Sequence, residues 1–474
     1  MKHTFLKISL CLFIVLAICH AVSTELTVYN DNLGLVREQR DIQLDKGQNE
    51  IKFTDVASKI DATSVHFKSI TDPDGTKVLE QNFEYDLISR DKLLSKYIDK
   101  EIELVRRLGV SGEKTEIIKG TLLSLKGGMT LKVGDKIYSN PSGEVILDKL
   151  PQGLITKPAL SWLVDSKKSA QHTVEVGYLT EGIKWNADYI VVADADDKNI
   201  DLNGWVTIDN QTGTTYKDAK LKLIAGDVNR IKPAATVKLM AAKYAYMGEA
   251  EEPQFQEKSF FEYHMYTLQR KTTIKDNESK QIEFTSASQI PVKKLYIYDG
   301  SKMSFYGYNE YSRADKNYGI QTNKDIYVML EFKNSNDNNL GIPLPKGKMR
   351  VYKSDTDKSL EFIGEDWIDH TPKDEMVRIY LGNAFDIIGE RVQTDFKVNY
   401  DADKLNESYK ITLRNHKEEP VTVRVVEHLY RWSNWKITSN SYKFDKTDSK
   451  TIEFDVPIEK DGEAVVTYTA EYWW

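Results

Sequence analysis

Between Thr173 and Val228 apolar and polar residues take turns with a period of two, which fits a strand and not a helix. Val174, Val176 and Tyr178 alternate with Thr173, Glu175 and Gly177. Leu202, Gly204, Val206 and Ile208 form a second row, and Ala219, Leu221, Leu223 and Ala225 a third. Ile190, Val191 and Val192 make a β-branched run too apolar for an exposed strand. Glu181-Gly182 and Asp209-Asn210-Gln211-Thr212-Gly213 supply the breaks. The stretch reads as the middle of an antiparallel sheet, with Trp185 and Trp205 as core fillers.

The same grammar runs in both directions. From Leu26 to about Phe83 short strands are punctuated by Lys46-Gly47-Gln48-Asn49 and Thr71-Asp72-Pro73-Asp74-Gly75, where proline presets φ and glycine supplies φ > 0. One short helix follows. Ser89 is its N-cap, Asp91 suits its first turn, and Leu93 with Tyr97 and Leu94 with Ile98 share one stripe. Ser89 and Lys92 also match S-x-x-K, but the partner motifs of that nucleophile family are missing, so the residues are read as a cap. From Ile102 to Leu150, Gly120, Gly127-Gly128, Gly134-Asp135 and Asn140-Pro141-Ser142-Gly143 separate short runs, which predicts a small inserted β-barrel. Arg230 to Ser259 loses the alternation, carries Glu249, Glu251 and Glu252, and reads as a mobile loop. From about Arg391 onward, regularly spaced strands predict an immunoglobulin-like sandwich. The fold expected is mainly β and multidomain: 22–85 an N-terminal β domain, 86–165 the short helix and small barrel, 166–390 a central β domain with mobile loop 230–259, and 391–474 the sandwich.

The first 21 residues stand outside that plan. Lys2 and Lys7 precede an apolar run from Ile8 to Ile18, and Cys19-His20-Ala21 ends in a small residue; this is the pattern of a secretory signal peptide. The expectation is an exported protein of the periplasm, outer surface or extracellular space. Cys11 and Cys19, the chain's two cysteines, both fall in that segment. A chain cleaved after Ala21 would have no thiol for a disulfide, a metal or a nucleophile. Ile18 before Cys19 is too large for a lipidated cysteine. The alternation of Ala464, Val466, Tyr468, Ala470 and Tyr472 suits the last strand of a membrane barrel or of a sandwich. Neighbouring strands too short to cross a hydrocarbon layer favour the sandwich, with Val466 and Tyr468 in its core and no integral membrane span after cleavage. A net charge of −7 over 474 residues gives no electrostatic reason to expect nucleic acid.

A set of uncommon strings, in one order, resembles the mucoidy-inhibitor-like family of secreted bacterial proteins, whose C-terminal half is a domain of unknown function. The strings are GIKWNADY (182–189), LNGWVTIDNQTG (202–213), KLKLIAGDVN (220–229), YTLQRKTTI (266–274), GIPLPKGKMRVY (341–352), FIGEDWIDHTPKDE (362–375) and LGNAFDIIGER (381–391). The resemblance implies a mostly β fold and an exported location, and brings no activity. Many relatives carry a long coiled coil after the N-terminal domain, where this chain has only the short helix near Leu93.

Chemistry-bearing patterns are sparse. Neither H-E-x-x-H, G-x-S-x-G nor an EF-hand loop occurs, and the histidines stand singly. Asp194, Asp196, Asp197, Asn199 and Asp201 cluster, but without the glycine and terminal glutamate of an EF-hand, so they read as a solvated hairpin tip. Asp366 and Asp369, beside His370, offer two carboxylates for a glycan- or peptide-active hydrolase. Tyr296, Tyr298, Phe305, Tyr306, Tyr308 and Tyr311 flank Asp299-Gly300-Ser301. Five of these, Tyr296, Tyr298, Tyr306, Tyr308 and Tyr311, form the candidate binding surface, the alternative being a hairpin that shields a sheet edge. No cofactor and no metal is expected. The leading expectation is an envelope or surface protein that binds or scaffolds without catalysis, its partner an envelope protein or a polysaccharide; the alternative is the hydrolase.

Overall fold

Alternation becomes strand along most of the chain: 63% of the residues are in strands and 3% in helices in the computed structural model. It describes residues 21–108, 114–151, 153–226, 228–229, 254–301, 314–355 and 357–474. Residues 1–20 of the signal segment, loop residues 230–253 and Tyr306, Tyr308 and Tyr311 lie outside the described residues. Two units separate. One comprises Met1–Lys184, Ile208–Leu223 and Arg270–Ser279, the other Trp185–Thr207, Ile224–Gln269 and Lys280–Trp474.

In the first unit, β1 (Ala21–Tyr29), β2 (Gly34–Leu44) and β3 (Gly47–Phe53) follow one another through short turns, and a longer connection with a 3-10 turn at Ala62–Ser64 leads to β4 (His66–Ser69) and β5 (Thr76–Glu84). Helix α1 (Arg90–Ser95) starts where expected, its first turn closed by Lys92 N–H donating to Ser89 Oγ. Then come β6 (Glu101–Leu108), β7 (Lys114–Ser124), β8 (Thr130–Val133), β9 (Lys136–Ser139) and β10 (Glu144–Ile146). They form an open sheet in the order β10-β6-β7-β8-β9. The small barrel is therefore not formed: no closed barrel is found among the described residues, and the short outer strands β9 and β10 pair with β8 and β6 and leave both edges open. Leu94 and Tyr97 from the helix segment fill its core with Ile102, Leu122 and Leu131.

β11 (Ala159–Ser166) sits between β3 and β5, and β12 (Ala170–Thr180) pairs with β2 and β4. The stretch 173–228 is thus not one sheet, because most of β13 (Ile183–Ala193) and of β14 (Asn199–Asn210) belongs to the second unit before β15 (Tyr216–Ala225) rejoins β1. A one-residue slip would move a whole strand face, so long-range pairing and not local pattern decides which sheet a strand enters.

The second unit continues with β16 (Phe255–Phe260) and β17 (Tyr263–Leu268), so the end of the expected mobile loop is strand; β18 (Thr272–Ile274) lies in the first unit, against β15. β19 (Glu278–Pro291), β20 (Lys293–Asp299), β21 (Tyr327–Lys333), β22 (Gly347–Ser354), β23 (Leu360–Ile368) and β24 (Met376–Asn383) come next. The last run is β25 (Ile387–Asn399), β26 (Lys404–Asn415), β27 (Val421–His428), β28 (Asn434–Asn440), β29 (Asp445–Lys446), β30 (Thr451–Ile458) and β31 (Gly462–Trp473).

The C-terminal sandwich is present and larger than 391–474. One of its sheets runs β24-β21-β20-β27-β30-β29 and the other β25-β26-β31-β28. Three of those strands precede Arg391. They are recruited because β20 pairs in parallel with β27, a contact no local signal announces. Val466 and Tyr468 are core, and Trp474 packs against the same cluster. A further sheet, β19-β14-β13-β22-β23, includes a second parallel pair, β13 with β22.

Candidate functional site

The sheet β19-β14-β13-β22-β23 buries one face only. On β13, Ala187, Tyr189, Val191 and Ala193 point into the core, so the residues between them face outward. Ile190 is accordingly 38% exposed, and the β-branched run is half outside. Trp185 is a core filler as expected, its indole N–H donating to Ile224 O at 3.1 Å. Trp205 is not: alternation along β14 places it on the half-buried outer side with Asn203 and Thr207.

The β22–β23 pairing completes the outer face. Lys348, Arg350 and Tyr352 lie opposite Trp367, Glu365 and Phe362. Phe362 and Glu365 are three positions apart, an odd step that would put them on opposite faces of a regular strand. A bulge between Val351 and Tyr352 in the register absorbs Ile363 and returns Phe362 to the outer face. Gly364 allows the strand to run close to Leu381, whose carbonyl oxygen a Cβ at that position would meet at 2.7 Å. Two large rings are thereby fixed in solvent, Trp367 at 67% and Phe362 at 55% exposure. Lys348 Nζ lies 5.6 Å from the Trp367 ring centre, and Tyr352 meets Phe362 edge-on at 5.7 Å. The charges between the rings neutralise one another. Arg350 sits 3.4 Å from Glu365 and 3.8 Å from Asp188, and Lys348 3.4 Å from Glu365.

The carboxylates of the hydrolase reading are placed differently. Asp366 Oδ1 accepts from Trp367 N and its Oδ2 from Tyr380 N, both at 2.8 Å, so the side chain ties β23 to β24. Asp369 is exposed, and its backbone carbonyl accepts from the Thr371 hydroxyl. His370 Nδ1 accepts from Lys346 N.

Of the tyrosine surface, the two described residues point inward. Tyr298 is fully buried and donates to Asn323 O at 2.9 Å, and Tyr296 belongs to the same core cluster. The expectation that they form a contact surface is corrected: β20 is an inner strand, flanked by β21 and β27. The aspartate-rich tip is a hairpin turn in which Asp194 accepts from Lys198 N and Asn199 N. Asp197 is held between Lys294 and Lys353 at 2.7 and 2.6 Å. No group of three or more metal-ligating side chains gathers among the described residues. Nor, among them, is any helix long and apolar enough to cross a membrane.

Sequence reasoning also passed over a buried ionic cluster in the sandwich. Arg431 Nε donates to Glu407 Oε2 at 3.1 Å, and Tyr472 and Tyr409 donate to the same carboxylate. Arg391 pairs with Glu427, which also accepts from Tyr468. Burial pushes the Tyr468 and Tyr472 hydroxyls well up, so both remain protonated donors. Further guanidinium hydrogens bind backbone: Arg431 donates to Asp315 O and Tyr318 O, and Arg391 to Gly319 O. These groups are closed to solvent and organise the interior. The outer face of β13, β14, β22 and β23 presents exposed rings and charged groups to solvent.

Residues 174–472 match the family described as a domain of unknown function, DUF4139. The match covers more than half of the chain and takes in every strand of the outer face, and the chain belongs to this family. No curated protein matches it.

Proposed function

We propose that this is an exported cell-envelope or surface protein that binds an envelope component through the outer face of β13, β14, β22 and β23, without catalysis. One observation carries the reading: Trp367 and Phe362 stand in solvent on the same face of one strand, brought there by a bulge. Exposed large rings on a rigid sheet, set among fixed polar groups, are a recognition surface. The basic and apolar pattern of residues 1–21 supports export, and the resemblance to the mucoidy-inhibitor-like secreted proteins agrees with it. The hydrolase reading loses support because both oxygens of Asp366 are taken by backbone N–H groups.

The test is retention of the protein lacking residues 1–21 on isolated cell envelopes. The parent is retained, and a Phe362→Ala/Trp367→Ala double variant with unchanged melting temperature loses at least about tenfold. Equal retention of the two contradicts the reading.

A further inference from the structure

The composition of the same face narrows its ligand, an argument that rests on the binding reading above. Lys348 and Arg350 lie between the exposed rings, and Glu365 and Asp188 already neutralise them. An anionic polymer would need unpaired cations to displace its counterions, and here they are paired. Cores of protein–protein interfaces are depleted in lysine, glutamate and aspartate, whereas this face interleaves those residues with its rings. Insertion into a bilayer would strand the same charges in hydrocarbon. What suits the face is an uncharged ligand with apolar patches to lie on the rings and hydroxyls to bond with the charged groups between them. Phe362 and Trp367 lie along one strand, separated by about 13–17 Å at ~3.3 Å per residue with the bulge allowed for. The ligand must therefore be extended and repetitive.

We propose that the outer face binds a neutral polysaccharide chain, whose sugar rings stack on Trp367 and Phe362 while their hydroxyls bond to Lys348, Arg350 and Glu365. Retention on envelopes then survives protease digestion of the envelopes. It falls at least about tenfold after periodate cleavage of vicinal diols. It changes less than about twofold in roughly 1 M salt, where the screening length is ~3 Å. In solution, maltohexaose or cellohexaose competes for retention and polygalacturonate does not. Trp367→Phe, which keeps a ring, retains most of the binding that Trp367→Ala loses. Loss of retention on protease treatment, with periodate without effect, would overturn the polysaccharide and leave the binding face standing with a protein partner. Collapse in high salt, or competition by polygalacturonate alone, would overturn the neutral ligand. Unchanged retention of Trp367→Ala would remove both readings together.

Discussion

Arg391 and Glu427 face one another inside the sandwich, the guanidinium Nε 2.9 and 3.0 Å from the two carboxylate oxygens, with side chains 1% and 0% exposed. Burial works against the charge on Arg391, and the facing carboxylate more than offsets it, raising the guanidinium pKa well above its ordinary value. Pairs of this kind contribute little over an apolar replacement, yet removing one partner leaves an uncompensated buried charge.

Glu427→Gln should therefore destabilise the sandwich by about 3–5 kcal/mol. Tyr468→Phe, which removes only one donor from Glu427, should cost about 1–3 kcal/mol. Urea unfolding followed by near-ultraviolet circular dichroism measures both. A loss under about 1 kcal/mol in Glu427→Gln would mean that the cluster is hydrated and not buried.

His428 and Asp299 give the sandwich a pH dependence. Their side chains approach to 3.0 Å where β20 and β27 end. The hydrogen bond to Asp299 raises the imidazole pKa, partly opposed by burial, with Glu427 and Asp448 adding to the rise. A folded-state pKa above the unfolded value stabilises fully below the unfolded value of ~6.5 and loses its effect as pH rises through the folded pKa. The melting-temperature advantage of the parent over Asp299→Asn should thus be greatest in mild acid and shrink as pH rises through and beyond neutrality. A constant difference from acid to alkaline pH, or an imidazole titrating below ~6.5 by NMR, would contradict the pairing.

Gly364 is required by the close run of β23 past Leu381. Gly364→Ala should cost about 1–3 kcal/mol by overpacking against the backbone. Deleting Ile363 should do something different. It removes the unpaired residue and the bulge with it, leaves Phe362 opposite Tyr352 on the outer face, and so keeps envelope retention in a protein that still folds. Thermal melts and retention assays separate the two effects, and a deletion variant that folds but loses retention would contradict this register for the face.

The parts of the fold written in local pattern were legible. β31 alternates as expected, and Ser89 caps the one α-helix found among the described residues. Period two announces two faces but not which of them is covered, and for that reason pattern alone favours the core for Trp205 and Ile190, which lie on the outer side. The parallel pairings β13–β22 and β20–β27 join residues far apart in sequence and leave no local trace, so local pattern starts the sandwich near Arg391 and leaves the tyrosines of β20 at the surface. The buried ion pairs had a readable signal. Glu407 falls in the phase of Leu405, Tyr409 and Ile411, and Glu427 in that of Val421, Val423 and Val425. Arg391 likewise follows Ile387 and Gly389. A charge in the buried phase of a strand calls for an opposite charge in another.

Hydroxyl-radical footprinting of the protein, free and bound to cell envelopes, tests the binding face most directly. Phe385, 94% exposed on the turn between β24 and β25 and outside the strands of the face, is the internal control. The expected result is protection of Trp367 and Phe362 by at least about threefold, with oxidation of Phe385 unchanged. Protection of Phe385 while Trp367 and Phe362 oxidise at their free rates would place the binding surface elsewhere and contradict the account.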